Sequence, residues 1–373
     1  MNLSVSCPVF GQSGWEVVCR NLLLALDKLG VNIQLDPKYN WNSEISFFLQ
    51  DDFARLERLA RNKIDLNSCF NLVHQYPTNE YLSSNFYKLA KKSFCLSIFE
   101  TNKCPQPWIN GLNKITKTIT FSEFNKNTYT KSGVNNVDVI PLGIDTEQFN
   151  PKVVPFRSKK ENEFVFLTSG DFTERKNFEG LIEAYVKEFT NKDNVTLIIK
   201  AHYQGFIKRY QEECIRKFKE VVNRFNSIDP PRILFFGHKV PWQSVPQFYT
   251  AGDCFILTSR GEGIGLPYME ALASGVSVIS TNFGGQMQFL TDNNALFVNS
   301  DVRVIDDMEY IRKCLWALNH SWAFPDVNDI RNKMRFAYEF RDIMKQKGLQ
   351  GRADMEKLIW QSSALSLINK YLE

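Results

Sequence analysis

Short runs of β-branched and aromatic residues alternate with segments whose apolar positions recur at three- and four-residue spacing, and the alternation continues through most of the chain. In the first part the order is LSVSCPVF, the loop GQSGW, a helical pattern from Glu16 to Leu29, VNIQLD, a helix near Asp52 to Arg61 and FNLVHQY. A helix near Glu80 to Lys91, FCLSIFE, a short helix near Trp108, KTITFS, a helix from Glu123 and VDVIPL follow. The second part repeats the theme with FVFLTS, a helix Phe178 to Glu188, VTLIIKA, a helix Gly205 to Phe225, RILFFG, a helix Ser244 to Thr250 and DCFILTS. From Val304 onward the pattern predicts mainly helix. Such alternation predicts an α/β chain built on parallel sheets covered on both faces. Residues 149–160, with Pro151, Pro155 and then KKEN, break the pattern and read as a linker.

The most informative stretch is SRGEGIGLPYMEALASGVSVISTNFGG, residues 259 to 285. Cys254 to Leu257 before it reads as a buried strand. Pro267 to Ala273 reads as a helix, with proline near its start and Gly275 past its end, and Val276 to Ser280 reads as the next strand. The loop between them falls at the carboxyl end of a parallel strand, where open α/β sheets bind ligands. Gly261, Gly263 and Gly265 let the backbone approach a ligand closely, and the helix amino terminus behind them favours an anionic group such as phosphate. Glu262 and Glu270 place two hydrogen-bond acceptors at different depths, which suits a polyhydroxylated ligand.

This segment resembles the E-x7-E signature of retaining glycosyltransferases of the GT-B fold, in particular their family four. Three further phrases are similar to that family in the expected order: Arg175-Lys176-Asn177, VIPLGIDTEQFNP at residues 139 to 151, and GQSGW at residues 11 to 15. The resemblance implies two Rossmann-like domains facing across a cleft. Residues 1–150 would form an acceptor domain, and residues 151–354 would bind the nucleotide-sugar donor. A terminal helix, about residues 355–373, would return to the first domain. It also implies roles: Arg175 and Lys176 on the donor diphosphate, Glu262 on the sugar hydroxyls and Glu270 on the ribose. His74 would lie at the reacting centre, with further donor contacts from Gly11, Ser13, Gly14, Gly263, Ile264, Gly265 and Leu266. Glu100 and Thr101 would line the acceptor side. Two positions depart from the family pattern: Asp171 stands where many relatives carry Arg, and Gln288 where they carry Glu or Asp.

Composition narrows the alternatives. The 373 residues suffice for two domains. With 45 basic and 41 acidic residues, no global field points to nucleic acid. Eight cysteines without C-x-x-C spacing read as reduced thiols of a cytoplasmic protein. No signal segment and no run near the roughly 20 apolar residues of a membrane span is expected. No D-x-D pair or zinc spacing occurs, so no metal and no cofactor is expected beyond a GDP- or UDP-linked sugar donor. The basic amphipathic segment GFIKRYQEECIRKFKEVVNRF is compatible with peripheral contact on anionic lipid, or with an ordinary helix covering the sheet. Three rival readings stand beside a hexosyltransferase acting on a glycan, a glycolipid or another hydroxyl acceptor: an NAD-dependent oxidoreductase, a sugar-nucleotide epimerase and a sugar-binding module with a decayed site. GEGIG lacks the G-x-G-x-x-G spacing that the oxidoreductase requires. The acceptor and the oligomeric state are set by no residue of the pattern.

Overall fold

The computed structural model describes residues 1–11, 13–38, 50–202, 208–225, 228–238 and 240–373. Gln12 of the first glycine loop and Gly205, Phe206 and Ile207 of the basic segment lie outside the described residues.

The chain divides into two compact units, one of residues 1–144, 241–243 and 358–373, the other of residues 145–240 and 244–357. In the first, β1 (Asn2–Cys7), β2 (Asn32–Pro37), β3 (Phe70–His74), β4 (Lys92–Leu96), β5 (Lys117–Thr120) and β6 (Val137–Val139) form a sheet in the order β2-β1-β3-β4-β5-β6. All of its pairings are parallel. The chain reverses its direction of travel across the sheet between β1 and β3, the kind of position where open α/β sheets bind ligands.

In the second unit, β7 (Phe164–Asp171), β8 (Val195–His202), β9 (Arg232–Phe236), β10 (Cys254–Leu257), β11 (Ser277–Thr281) and β12 (Ala295–Val298) run in the order β12-β11-β10-β7-β8-β9. This is the doubly wound order in which the reversal falls between the first and fourth strands, here β7 and β10. β7 and β10 are buried along nearly their whole length, as expected of central parallel strands read as continuous apolar runs. Phe166, Leu181, Ile182, Tyr185, Ile199, Ile256 and Ile279 belong to the core that packs on this sheet.

The terminal segment belongs to the first unit. Ile144 N–H donates to the Leu358 carbonyl at 2.8 Å, and the Tyr371 hydroxyl donates to Asp138 at 2.7 Å. Gly143 has no room for a side chain, since a Cβ there would lie 2.4 Å from the Trp360 backbone.

Two predicted elements differ from the structure. The helix expected over Glu80 to Lys91 is two short helices, Asn79–Ser83 and Asn85–Lys88, because Ser84 adopts an extended conformation that ends the first and caps the second. From Val304 onward the chain is mainly helical, as expected, except that β14 (Ser321–Pro325) pairs antiparallel with β13 (Ser300–Val304) before the helices Val327–Glu339 and Arg341–Met355. A small core of its own holds this pair: fully buried Trp322 packs with Ile305, Ile311 and Ala317, and Arg303 lies 4.2 Å from the Phe324 ring centroid.

Candidate active site

The loops after β7 and β10, the strands that flank the reversal, converge. After β7 the chain makes a 3-10 turn over Glu174–Lys176, and Asn177 takes a left-handed conformation (φ 55°) before the helix Phe178–Glu188. This turn directs Lys176 back against Gly170. The Lys176 Nζ donates to Glu262 Oε1 at 2.6 Å. Arg175 Nη1 donates to the Gly261 carbonyl at 2.6 Å and to the same Glu262 oxygen at 3.3 Å. Ser259 Oγ donates to the Arg175 carbonyl at 3.2 Å, and Arg260 N–H donates to it at 2.7 Å, so the two loops are tied through backbone as well as charge.

Glu262 and Lys176 are buried, 6% and 8% exposed. Burial opposes ionisation of Glu262, but the neighbouring charges of Lys176 and Arg175 outweigh it and hold the carboxyl below its usual range. Sequence reasoning gave these residues separate partners on a ligand; the structure makes them one buried ion cluster of two cations and one carboxylate.

The turn that carries Glu262 is set by glycine. Gly265 caps the helix Leu266–Ala273 at φ 82°, and a Cβ there would lie 2.6 Å from the Tyr268 ring. Gly265→Ala is therefore expected to lose about 1–3 kcal/mol from left-handed strain, and more if Tyr268 cannot shift; urea denaturation measures the loss. Ile264 and Leu266 are buried behind the turn. Gly285 N–H donates to the Glu262 carbonyl at 2.7 Å, and buried Gln286 braces that second turn through the Thr281 and Phe283 carbonyls. The sequence drew attention to Gln288, which is exposed. Gln286 is the glutamine on which the turn depends.

Glu270 occupies a different environment from Glu262. It is buried in the helix Leu266–Ala273, and its Oε2 accepts from the Tyr249 hydroxyl at 2.5 Å. Burial raises its pKa to about 7, an effect reduced by Tyr249 and by the charge of Lys200 on β8. Neither Tyr249 nor Lys200 was visible as a site residue in the sequence. Tyr249 lies 21 positions before Glu270, in a short helix with no motif of its own.

In the first unit the loop after β1 and the end of β3 also meet. Trp15 packs edge-on against His74, ring centroids 4.2 Å apart. Burial lowers the His74 pKa to about 4, so the ring is neutral at physiological pH, and its Nε2 is buried without a hydrogen-bond partner among the described residues. Ser13 caps the helix Gly14–Lys28 in a capping box, with its N–H donating to Glu16 Oε2 at 2.9 Å. The Glu16 carboxylate crowds Gly11, where a Cβ would lie 2.0 Å away. Gly14 is open, with nothing near its Cβ position. Arg20, missed in the sequence although it interrupts the apolar face of that helix, is buried and donates to the Val9 and Gly11 carbonyls, both at 2.9 Å. Thr101 is buried and bonded to the Lys103 carbonyl, so its hydroxyl serves its own loop.

The basic helix, described over Lys208–Arg224, lays Cys214, Phe218, Val221 and Val222 on the core of the second unit. Arg216 pairs with Glu213 and Glu220, and Arg224 with Glu179. The described part of the apolar face that suggested lipid contact is thus packed inside the unit. Among the described residues, no helix is long and apolar enough to cross a membrane, no group of three or more His, Cys, Asp or Glu side chains is arranged to hold a metal ion, and all eight cysteines are free.

Residues 151–315 match the family described as glycosyl transferases group 1. The lipopolysaccharide core biosynthesis mannosyltransferase LpsB of Rhizobium meliloti is 28% identical over 159 residues, 41% of this chain and 42% of that protein. The UDP-Gal:alpha-D-GlcNAc-diphosphoundecaprenol alpha-1,3-galactosyltransferase of Escherichia coli is 27% identical over 191 residues, 46% of each chain. The chain thus spans less than half the length of these curated relatives. Among solved structures, sucrose-phosphate synthase from Thermosynechococcus elongatus superposes with a TM-score of 0.71 at 16% identity, covering 100% of this chain and 98% of that one. Anabaena HepE in complex with UDP-glucose does so at 0.65 and 13% identity, covering 99% and 98%. The chain has the α/β, two-domain GT-B fold, and the segment similar to the glycosyl transferases group 1 family lies mostly in its second unit.

Proposed function

We propose that this protein is a retaining, metal-independent glycosyltransferase that moves a hexosyl group of the mannose or glucose class from a GDP- or UDP-linked donor to a hydroxyl acceptor. The observation that carries the reading is the meeting of Lys176, Arg175 and Glu262 between the loops after β7 and β10. When the bond between the anomeric carbon and the diphosphate breaks, negative charge develops on the leaving phosphate. Arg175 and Lys176 stabilise it, the guanidinium through two parallel donors and the ammonium as a compact charge. In the free protein Glu262 holds both cations in place. On donor binding they turn to the diphosphate, and the carboxylate accepts hydrogen bonds from the sugar hydroxyls.

Glu270, fixed by Tyr249, accepts from the ribose. The amides of Gly263 to Leu266 support the sugar and phosphate, and those of Gly11, Ser13 and Gly14 serve the diphosphate. Neutral His74 donates a hydrogen bond at the reacting centre and carries no charge. The departing phosphate takes the acceptor proton on the same face, which gives retention. The first unit takes the acceptor, a glycan or glycolipid, and a cytoplasmic location is proposed. The same pair of cations argues for activity without a divalent ion, because they supply the charge that the diphosphate requires. With EDTA present, turnover of UDP- or GDP-hexose should persist and proton NMR of the glycoside should show the donor's anomeric configuration. An inverted product, or strict dependence on added manganese, would refute those two parts of the reading.

A further inference from the structure

Beside His74 the first unit contains a cavity of about 440 Å³ at the carboxyl ends of β1, β2 and β3, within the size range of small-molecule sites, ~300–1,000 Å³. We infer that this cavity binds a neutral saccharide and that Gln75 reads its hydroxyl groups. The inference rests on the transferase reading above and names the class of acceptor.

The walls argue for that class by their chemistry. Tyr76, Tyr81 and Phe86 offer aromatic surface for the C–H face of a sugar ring. Tyr76 is held rigidly, stacked on Trp108 with ring centroids 4.6 Å apart and planes 13° from parallel. Ser6, Thr78, Ser84, Asp36 and Glu80 supply hydroxyl and carboxylate oxygens. The one ammonium among the described lining residues, Lys38, is paired with Asp36 at 2.9 Å. Among the described lining residues a phosphate or carboxylate would meet two carboxylates and no unpaired cation, which disfavours charged sugars and anionic headgroups. Ser6, Asp36, Thr78 and Ser84 already bond within the protein, so a lipid chain would leave the Gln75 carboxamide unmet, whereas a polyol can meet it. An uncharged polyol on an aromatic wall satisfies both constraints.

Gln75 adds an observation independent of composition. It is a non-glycine residue held at φ 73°, a conformation that is uncommon outside glycine and concentrated at functional sites. Two bonds impose it: Gln75 N–H donates to the Leu96 carbonyl at 2.7 Å, and Ser97 Oγ donates to the Gln75 carbonyl at 2.5 Å. Ser97 is itself bonded to the Tyr129 hydroxyl at 2.6 Å. The backbone is thus locked by neighbouring strands, while the carboxamide, which can both donate and accept, has no partner among the described residues and lines the cavity. Strain kept at a position whose side chain bonds nothing among the described residues is what a ligand-reading residue requires.

The test uses Gln75→Gly, because glycine relieves the positive φ and the variant should fold at least as well as the natural chain. Saturation-transfer NMR is run on the full chain with methyl glucoside, methyl mannoside, methyl galactoside, N-acetylglucosamine and maltose. Glucose 6-phosphate and phosphatidylglycerol vesicles serve as charged probes, and UDP and GDP binding is measured in parallel. The expected result is binding of at least one neutral sugar at about millimolar strength, weakened about tenfold or more in Gln75→Gly. Nucleotide affinity should be unchanged and the melting temperature equal or higher. A purely structural role for Gln75 would not weaken sugar binding in a variant that melts no lower. Equal sugar binding in the variant, or binding of glucose 6-phosphate or the vesicles with no neutral sugar bound, would overturn the inference while leaving the transferase reading intact. Absence of any nucleoside diphosphate binding would instead strike at that reading.

Discussion

Replacing Lys176 with alanine is expected to lower transfer by about tenfold or more, the effect of losing one buried charged contact to the leaving group, and to destabilise the second unit as well. Two consequences come together because Lys176 and Glu262 are partners before any donor arrives. Removing one member of a buried pair leaves the other charge without full compensation, at a cost of about 3–5 kcal/mol, here reduced by the remaining 3.3 Å contact from Arg175. The double replacement Lys176→Met with Glu262→Gln removes both charges. It should recover most of the stability while staying inactive. Urea denaturation and donor turnover, measured on the single and double variants, separate the two effects. Natural stability and turnover in Lys176→Ala would remove the residue from both roles. The sign with pH follows from the same geometry: the Glu262 carboxyl is held below 4.5, so its contribution is present above that pH and is lost as the pH falls through its folded value.

Glu270 should behave in the opposite way. With its pKa raised to about 7, it is half protonated near neutrality, and only the ionised form offers full acceptor strength to a ribose diol. Nucleoside diphosphate affinity is therefore expected to fall about tenfold per pH unit below 7 and to level off above 8, apart from titration of the ligand itself. Glu270→Gln should bind weakly and with a flat profile over that range. For stability, a raised pKa means a contribution present below 4.5 and lost as the pH rises through 7. Ionising this carboxyl in its buried site then costs on the order of 3 kcal/mol, and Glu270→Gln should melt higher than the natural chain at pH 8 but not at pH 4. An affinity profile unchanged by the substitution would show that Glu270 does not face the nucleotide.

The parallel sheets and the fold were legible because central strands such as FVFLTS and DCFILTS are apolar throughout and are spaced by helices, a signal that needs no tertiary information. Glu262 and Glu270 were legible as residues because glycines and a helix start frame them, and Arg175 and Lys176 through the resemblance of their phrase to a known family. Their relations were not. That Lys176 would pair with Glu262, 86 positions away, depends on the reversal between β7 and β10, which brings the two loops together only once the sheet order is set. Tyr249 and Arg20 escaped notice because an isolated Tyr or Arg in an apolar helix reads as packing. Gln75 escaped because a positive φ leaves no mark in sequence when the residue is not glycine or asparagine. Strand β14 was missed within a segment read as mainly helical because it is short and its partner, β13, lies before an intervening helix.

The most direct measurement is calorimetric titration of the protein with UDP, GDP, ADP and NAD in the absence of metal. The account predicts binding of UDP or GDP, abolished or strongly weakened in Lys176→Ala and Glu270→Gln, and no binding of NAD. Binding of NAD alone, or of none of the four, would contradict it.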